Sequence, residues 1–365
     1  MSPLTSTSRT ALGLALTLAL LAASAQAAPH KKHHRTRATA AAPAPVAGGS
    51  YAKHPAAMAF AHEVFERQGL PLPWLQAQLA LARRLEAVRR LIMPPPAGTA
   101  KNWAAYRARF VEPQRVAAGV AFWRDNEAWL HEAQERWGVP AEIVVGIVGI
   151  ETFYGRITGN FRVLDALATL AFDFPPGRKD RSEFFREQLE ELLVLCAREG
   201  IDAQTLKGSY AGAMGLPQFM PGSVNRYAVD MDGDGHVNLN GNSADVIGSV
   251  AHYLASFGWQ RDMPTHYAVA VPVDSSDRAL LLGPDIVPTF TAEQFEQRGA
   301  LLTEPGRAHA GPLALVELQN GGAAPSYIAG TQNFYVVTRY NWSSYYALAV
   351  IELAAEVARQ RAAAR

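Results

Sequence analysis

The sequence of 365 residues has a single cysteine, Cys196, and almost no net charge. One cysteine excludes an intrachain disulfide framework and any metal site built from several thiolates. A formal charge of +1, from 34 basic and 33 acidic side chains, argues against a dedicated nucleic-acid binder, which is usually strongly basic. Apolar residues make up 49%, which excludes a disordered chain. Because Cys196 follows the apolar run 192–195, we expect a buried small hydrophobe rather than a nucleophile.

Apolar runs long enough to span a membrane are also missing. The run from Ala11 to Ala23 is too short for a stable span. It lies between Arg9 and the small-residue motif 25–27, which is the pattern of a cleaved signal peptide. We therefore predict that residues 1–27 are a signal peptide and that the mature protein is exported to the periplasm of a Gram-negative bacterium. An uncleaved anchor is the alternative.

Residues 28–54 contain no acidic side chain and are rich in alanine, proline and basic residues. Such a composition is typical of a flexible linker, because it offers no periodic apolar face to bury. The basic charge allows weak contact with an anionic surface. We predict a solvated basic linker that precedes the folded part.

The remaining chain, 55–362, predicts an α+β fold with a mainly helical core at about 113–260 and 334–362. A small β-rich subdomain, at about 263–333, is expected to be inserted before the C-terminal helix. Apolar periodicity, proline and glycine place the principal helices at 113–137, 140–152, 183–199, 243–258 and 343–362. Segments rich in β-branched and aromatic residues predict strands at 266–273, 313–318 and 333–338.

The predicted helix 140–152 is almost wholly apolar and ends with one carboxyl group, Glu151. Gly146 and Gly149 permit close packing of another backbone or of a ligand, and Gly155 is placed to stop the helix. Desolvation would raise the pKa of Glu151 and keep it protonated, as a general acid for glycosidic-bond cleavage requires. A glutamate that merely caps or pairs at a helix end is equally compatible with this segment.

A calcium-type loop is predicted from Asp230 onward, because the segment matches the start of an EF-hand loop. The ligands expected from that pattern are Asp230, Asp232, Asp234, the carbonyl of His236 and Asn238. The usual glutamate at the twelfth position is replaced by Gly241, and Asp245 is the nearest substitute carboxylate. We expect Ca²⁺ as a structural ion, with an acidic turn that binds no ion as the alternative.

Two further segments combine small polar groups with aromatic rings. Residues 207–221 are rich in glycine, and residues 339–346 contain three tyrosines and a tryptophan. Sugar rings bind through hydroxyl hydrogen bonds and apolar contact with aromatic faces, so both segments suit a carbohydrate groove. Taken separately, each is more often a packed loop.

Together, these segments resemble the lytic transglycosylase B family (glycoside hydrolase family 103) over about residues 55–362. The segments that carry the resemblance are WAAY at 103–106, GIETFYG at 149–155, VLDALATL at 163–170, GSYAGAMGLPQFMP at 208–221, the DGDG loop with ADVIGSV at 244–250, and TRYNWS at 338–343. The resemblance implies a lysozyme-like fold. It also implies cleavage of the β-1,4 bond between N-acetylmuramic acid and N-acetylglucosamine in peptidoglycan, with a 1,6-anhydro end and no cofactor for catalysis. We expect a monomer that acts on glycan strands and binds no nucleic acid.

The resemblance also assigns roles to residues. It implies that Glu151 is the only acid/base and that Ser209 and Asn341 contact the muramoyl N-acetyl group. The residues that would line the groove are Tyr106, Gln218, Phe219, Tyr253, Tyr340 and Tyr346. Arg181 would face the peptide stem or the muramoyl lactate, although Asp180 stands where the family often has a second basic residue. The family's calcium loop corresponds to the five ligand positions named above.

Two other functions remain open at this stage. A hydrolytic muramidase would need a second carboxylate near the bond, and the nearest downstream candidates are Asp165 and Asp173. An internal hydroxyl nucleophile makes that second group unnecessary, because proximity replaces an activated water. The alternative from another class is a non-catalytic, calcium-dependent cell-wall glycan-binding protein.

Overall fold

The computed structural model describes residues 50–94, 101–272 and 274–364, so the predicted signal peptide and most of the predicted linker lie outside the described residues. The helices are α1 (Pro55–Gln68), α2 (Leu72–Leu81), α3 (Glu86–Leu91), α4 (Trp103–Phe110), α5 (Pro113–Asp125), α6 (Glu127–Trp137), α7 (Ala141–Thr152), α8 (Val163–Phe172), α9 (Ser182–Glu199), α10 (Pro221–Tyr227), α11 (Ser243–Ser256), α12 (Ser275–Leu282), α13 (Ala292–Gln297), α14 (Glu304–Arg307), α15 (Gln332–Tyr340) and α16 (Ser344–Ala363). The strands are β1 (Phe161–Arg162), β2 (Lys207–Gly208), β3 (His266–Ala270), β4 (Leu301–Leu302), β5 (Ala314–Asn320) and β6 (Ala323–Gly330).

The described chain forms two compact units. The larger unit comprises 101–159 and 213–364, and the smaller comprises 50–94 and 160–212. None of the described helices is both long enough and apolar enough to cross a membrane. The mainly helical α+β class predicted from the sequence is confirmed.

In the smaller unit, α8 packs against α9 and α3, while α1 packs against α2. The folded part of the smaller unit includes residues before 55, because Tyr51 is fully buried and its hydroxyl donates to the Asp173 carboxylate at 2.6 Å. Asp165 is buried and accepts hydrogen bonds from the Arg83 backbone and the Arg162 guanidinium. Cys196 is a buried free cysteine, as predicted.

The core of the larger unit is the pair α7 and α16. Every residue of α7 except Glu142 is buried, and α16 packs along it as well as against α5 and α4. Gly146 makes this approach possible, because a Cβ there would lie 2.7 Å from the backbone oxygen of Val350. The close backbone packing predicted at Gly146 is therefore present, whereas Gly149 makes room for the side chains of Tyr154 and Leu353.

The strands of the larger unit form one antiparallel sheet in the order β4-β3-β6-β5. Ala329 of β6 lies opposite Tyr267 of β3 and opposite Leu315 of β5. Apolar side chains of α12 and α13, including Leu281 and Phe295, pack with the sheet residues in a separate small core. This agrees with the predicted β-rich segment between the main helices.

Two predicted elements differ from the structure. Residues 333–338 lie in the helix α15, not in a strand, because the Thr331 side chain caps the first turn by accepting from the Asn333 backbone. The strand that pairs with β5 is β6 (Ala323–Gly330), which was not predicted from the sequence. The predicted helix 113–137 is broken at Asn126 into α5 and α6.

Candidate active site

Glu151 lies in the last turn of α7, and only 7% of its surface is exposed. Burial raises the pKa of Glu151 to about 7, although the hydrogen bond from Tyr346 opposes this shift. The pKa shift predicted from the apolar helix is thus present. A carboxyl group with this pKa is partly protonated at neutral pH and is able to deliver a proton.

Tyr346, in the first turn of α16, is the direct partner of Glu151. Its hydroxyl donates to Oε1 of Glu151 at 2.5 Å, and both side chains are buried. The ring of Tyr340 stacks nearly parallel on Tyr346, with centroids 6.3 Å apart. Since burial and the neighbouring Glu151 raise the pKa of Tyr346 well above its usual value, the phenol stays a hydrogen-bond donor.

An aromatic cluster extends from this pair. Tyr253 contacts Tyr340 with centroids 4.9 Å apart, and Phe219 lies 5.4 Å from Tyr253 and 5.8 Å from Tyr340. The hydroxyls of Tyr340 and Tyr253 donate to the backbone oxygens of Pro217 and Arg339. Burial raises the pKa of Tyr106 to about 12, and the charge of Glu151 adds to this shift. Tyr106, Tyr346 and the three rings of the cluster, all predicted groove residues, thus lie in the larger unit with Glu151.

The glycine-rich segment is fixed to the end of α7 by Thr152. Its hydroxyl donates to the Leu216 backbone oxygen at 3.0 Å and accepts from the Gly155 backbone. Gln218 has a positive φ of 51°, and its amide donates to the backbone oxygens of Thr158 and Gly215. The Gln218 amide nitrogen is thus used to hold the loop together.

Asn341 follows α15 and is 7% exposed. Its side-chain oxygen Oδ1 is buried and has no hydrogen-bond partner among the described residues. A buried hydrogen-bond acceptor without a partner lowers the stability of the folded protein and is therefore rare. This one lies immediately after Tyr340 in the sequence. The amide of Asn341 is therefore available for a ligand.

A left-handed turn follows α7 and was not predicted from the sequence. Phe153 and Tyr154 both have positive φ, 52° and 55°, so α7 ends before Gly155 is reached. Arg115 of α5 fixes this turn by donating to the Gly149 backbone oxygen at 2.6 Å. A charge on an amphipathic helix usually indicates a solvated face, so no sequence signal pointed to Arg115.

Ser209 and Arg181 belong to the smaller unit, whereas Glu151 and Asn341 belong to the larger one. Ser209 is buried directly after β2, and its backbone oxygen accepts from Gly212. The Arg181 guanidinium packs over the rings of Phe184 and Phe185, and burial lowers its pKa.

The predicted calcium loop brings three carboxylates together. Oxygen atoms of Asp230, Asp232 and Asp245 all lie within 4.8 Å of one another. Asp245 is fully buried and accepts from the backbones of Met231 and Asn238, so it braces the loop from α11. Converging carboxylate oxygens suit a hard divalent cation, and the substitute carboxylate considered for the missing glutamate is part of this cluster.

The other two predicted side-chain ligands serve the loop backbone. Asp234 accepts from the His236 backbone and lies outside the three-carboxylate cluster. The Asn238 oxygen accepts from the backbones of Asn240 and Gly241.

Comparisons with known proteins identify the family. The family model described as "Transglycosylase SLT domain" matches residues 52–355. The chain is 39% identical, over 86% of both proteins, to the membrane-bound lytic murein transglycosylase B of Escherichia coli K12.

Solved structures give the same result. The E. coli lytic transglycosylase SLT35 in complex with bulgecin A matches with a TM-score of 0.76 and 38% identity, over 86% of this chain and 96% of that one. The same relative in complex with calcium matches at 0.75, with the same identity and coverage. SltB3 of Pseudomonas aeruginosa in complex with NAG-anhNAM-pentapeptide matches at 0.68 and 29% identity, over 84% of this chain and 79% of that one. The chain therefore belongs to the transglycosylase SLT domain family and is a lytic murein transglycosylase of the B type.

Proposed function

We propose that Glu151 is the single acid/base of this peptidoglycan lytic transglycosylase. Its protonated carboxyl donates the proton to the glycosidic oxygen between N-acetylmuramic acid and N-acetylglucosamine, and the bond from C1 to that oxygen breaks. The resulting Glu151 carboxylate then accepts the proton of the muramoyl C6 hydroxyl as this oxygen attacks C1. The product carries a 1,6-anhydro ring, and no water is consumed.

The observation that carries this proposal is the raised pKa of a buried carboxyl group that stands alone. Ordinary glycosidases use two carboxyl groups separated by about 5–5.5 Å or about 6.5–9.5 Å. Among the described residues of the larger unit, no second carboxyl group contributes to the pKa of Glu151. An internal nucleophile needs only one group, which gives up a proton and takes one back.

The neighbouring residues have supporting roles in this proposal. Tyr346 orients the carboxyl and stabilises its charged form after proton transfer. Asn341 offers its unpaired amide oxygen to the N–H of the muramoyl acetamido group, and the contact of Ser209 with the substrate rests on the family resemblance alone. The rings of Tyr106, Phe219 and Tyr253 with Tyr340 form apolar walls for the sugars, and Arg181 is assigned to a carboxylate of the substrate.

The ion and the location are part of the same proposal. Ca²⁺ bound by Asp230, Asp232 and Asp245 would fix the loop before α11, and the calcium complex of a relative supports this choice. The monomeric enzyme acts in the periplasm after removal of residues 1–27, with residues 28–54 as its linker and 55–362 as its catalytic domain. Relatives that act on murein support this location.

Product mass tests the reaction directly. Purified wild-type protein should release from peptidoglycan muropeptides that end in anhydromuramic acid, lighter by one water than the products of a muramidase. Glu151→Gln should release none, while the control Glu142→Gln, in the first turn of the same helix, should remain active. Hydrated ends from the wild type would contradict the transglycosylase mechanism. Release of muropeptides by Glu151→Gln would contradict the assignment of the acid and favour another catalytic group.

A further inference from the structure

The turn that follows α7 carries backbone strain close to the acid. Phe153, Tyr154 and Gly155 have φ values of 52°, 55° and 86°, so three consecutive residues lie in the left-handed region. Glycine adopts this region freely, whereas an aromatic residue does so at a cost that the surrounding contacts must offset. Such strain is concentrated at functional sites, and this turn begins two residues after Glu151.

The Tyr154 side chain folds back against α7 and fills a space that two glycines leave open. A Cβ added to Gly149 of α7 would lie 2.5 Å from the Tyr154 hydroxyl oxygen and 2.7 Å from Cζ. A Cβ added to Gly119 of α5 would also collide with that oxygen. The Phe122 ring, which is on α5 as well, stacks on the Tyr154 ring with centroids 5.3 Å apart. Both glycines are therefore needed for the ring to stay in this place.

Helix α16 borders the same space. Cδ2 of Leu353 lies 2.8 Å from the position of a Cβ added to Gly149. Leu353 follows Tyr346 by seven residues, which is about two helical turns, so both side chains lie on one face of α16. The ring of Tyr154 thus lies where α5, α7 and α16 meet.

The Tyr154 hydroxyl is buried, but it is not used for hydrogen bonding. Its oxygen has no partner among the described residues, and burial raises the pKa of the phenol. A buried polar group without a partner is uncommon, so its presence requires an explanation. Here the oxygen occupies the space between Gly119 and Gly149. The side chain therefore acts through its shape and not through a hydrogen bond.

Tyr154 supports the helical turn that carries Glu151. Gly149 precedes Glu151 by two residues, or about 200° around the helix, so the ring packs on the face of α7 that lies away from the acid. The backbone N–H groups of Phe153 and Tyr154 donate to the backbone oxygens of Gly149 and Val148, which joins the strained turn to the same part of the helix. A shift of the ring would therefore move the end of α7 together with its carboxyl group.

We infer that Tyr154 is a positioning residue for the acid, because its ring, held between Gly119 and Gly149, keeps the end of α7 where Glu151 meets the Tyr346 hydroxyl. Tyr154 makes no hydrogen bond to Glu151 and acts through the backbone of the helix. The inference rests on the proposed function, since the position of Glu151 affects the reaction only if Glu151 is the acid.

The experiment is a double-mutant cycle with purified protein acting on peptidoglycan. It compares kcat and KM of the wild type, Tyr154→Leu, Tyr346→Phe and the variant that carries both changes. Phe295→Leu is the matched control for lost stability, because Phe295 is fully buried in the separate small core of the sheet. All variants are measured at one temperature, below the melting temperature of the least stable one.

Tyr154→Leu should lower kcat by about 10-fold and leave KM within about two-fold, because a misplaced acid impairs the reaction more than binding. In the Tyr346→Phe background the same change should cost about two-fold or less, because the contact through which it acts is already lost. Phe295→Leu should keep the kcat of the wild type. Tyr154→Phe, which retains the ring, should stay within about two-fold of the wild type.

Gly119→Ala tests the same contact from α5 and leaves the turn itself unchanged. Its added Cβ should displace the Tyr154 ring and lower kcat. Tyr154→Phe in the same chain should restore part of this loss, because it removes the oxygen with which the Cβ collides. The restoration should be partial, since the Val357 side chain also lies against that Cβ. This comparison decides the matter if Tyr154→Leu does not fold.

A wild-type kcat in Tyr154→Leu would overturn the inference, and so would a loss of equal size with and without Tyr346→Phe. It would also be contradicted by a loss that appears in KM, by an equal loss in Phe295→Leu, or by a Gly119→Ala defect that Tyr154→Phe leaves unchanged. Failure of the proposed function has a different signature, because hydrated products or an active Glu151→Gln would be seen while Tyr154 is intact.

Discussion

The hydroxyl of Tyr346 lies 2.5 Å from Oε1 of Glu151, although the two residues are 195 positions apart in the sequence. This bond favours the charged carboxylate, while burial favours the neutral acid, and burial is the larger effect. The two opposed influences set the pKa of Glu151 at about 7, where one group is able to act first as an acid and then as a base.

Removing the hydroxyl in Tyr346→Phe should raise the pKa of Glu151 above about 7. Activity requires the protonated acid, so the decline in kcat/KM at high pH should move to higher pH, by on the order of one unit. The maximal rate should fall because the carboxyl loses its orientation. Tyr340→Phe is the control, since its hydroxyl donates to Pro217 and not to Glu151. A pH profile of Tyr346→Phe that coincides with that of the wild type would contradict this role.

Glu151 should make the folded protein less stable as the pH rises. Its pKa is raised from 4.5 to about 7 on folding, so the folded state holds the proton more tightly than the unfolded chain. This contribution is fully present below pH 4.5 and is lost as the pH rises to about 7. The loss amounts to about 3 kcal/mol. Denaturant unfolding of Glu151→Gln, measured between pH 4 and pH 8, should lack this decline in the free energy of unfolding. A decline equal to that of the wild type would assign the effect to other titrating groups.

Gly146→Ala should separate α7 from α16. The added Cβ would lie 2.7 Å from the Val350 backbone oxygen and 3.1 Å from the Ala354 side chain, and backbone atoms do not move aside easily. We expect a loss of about 1–3 kcal/mol in the free energy of unfolding, measured by denaturant titration. Gly322→Ala is the control, because nothing lies within 4 Å of its added Cβ. An unchanged stability of Gly146→Ala would show that the helices tolerate a wider separation.

Calcium should raise the melting temperature of the wild type. An ion that binds only the folded state adds about 3 kcal/mol at one hundred times its dissociation constant. Asp232→Asn should abolish the increase, because it removes one of the three clustered carboxylates. Asp125→Asn, an exposed partner of Arg124, should keep it. A melting temperature of the wild type that is the same in calcium and in chelator would contradict the site.

The helix that carries Glu151 was predicted correctly, because an apolar run of three helical turns is too long for a typical buried strand. It did not predict α15, since the segment from Asn333 to Thr338 has the composition of a strand. There the cap at Thr331 and burial against neighbouring elements outweigh local preference. Strand β6 was missed because its first residues, Ala323 to Ser326, have little β preference, and pairing with β3 and β5 holds it in the sheet.

The site was predicted unevenly for a similar physical reason. The buried acid follows from the helix that carries it, but spacing along the chain gives no information on a partner as remote as Tyr346. The composition of residues 339–346 suited a carbohydrate groove and the family resemblance placed Tyr346 in it, but neither predicted the hydrogen bond to Glu151. No sequence pattern indicated the role of Arg115, because that role depends on a hydrogen bond to the Gly149 backbone oxygen, which only the folded structure brings within reach.

Helix α16 supplies both the partner of Glu151 and the surface that covers α7. Without α16 the apolar face of α7 would be uncovered, and Glu151 would lack its hydrogen-bond partner. The helix that completes the core of the larger unit is therefore the same helix that completes the surroundings of the acid, so a change that displaces α16 should reduce stability and activity together.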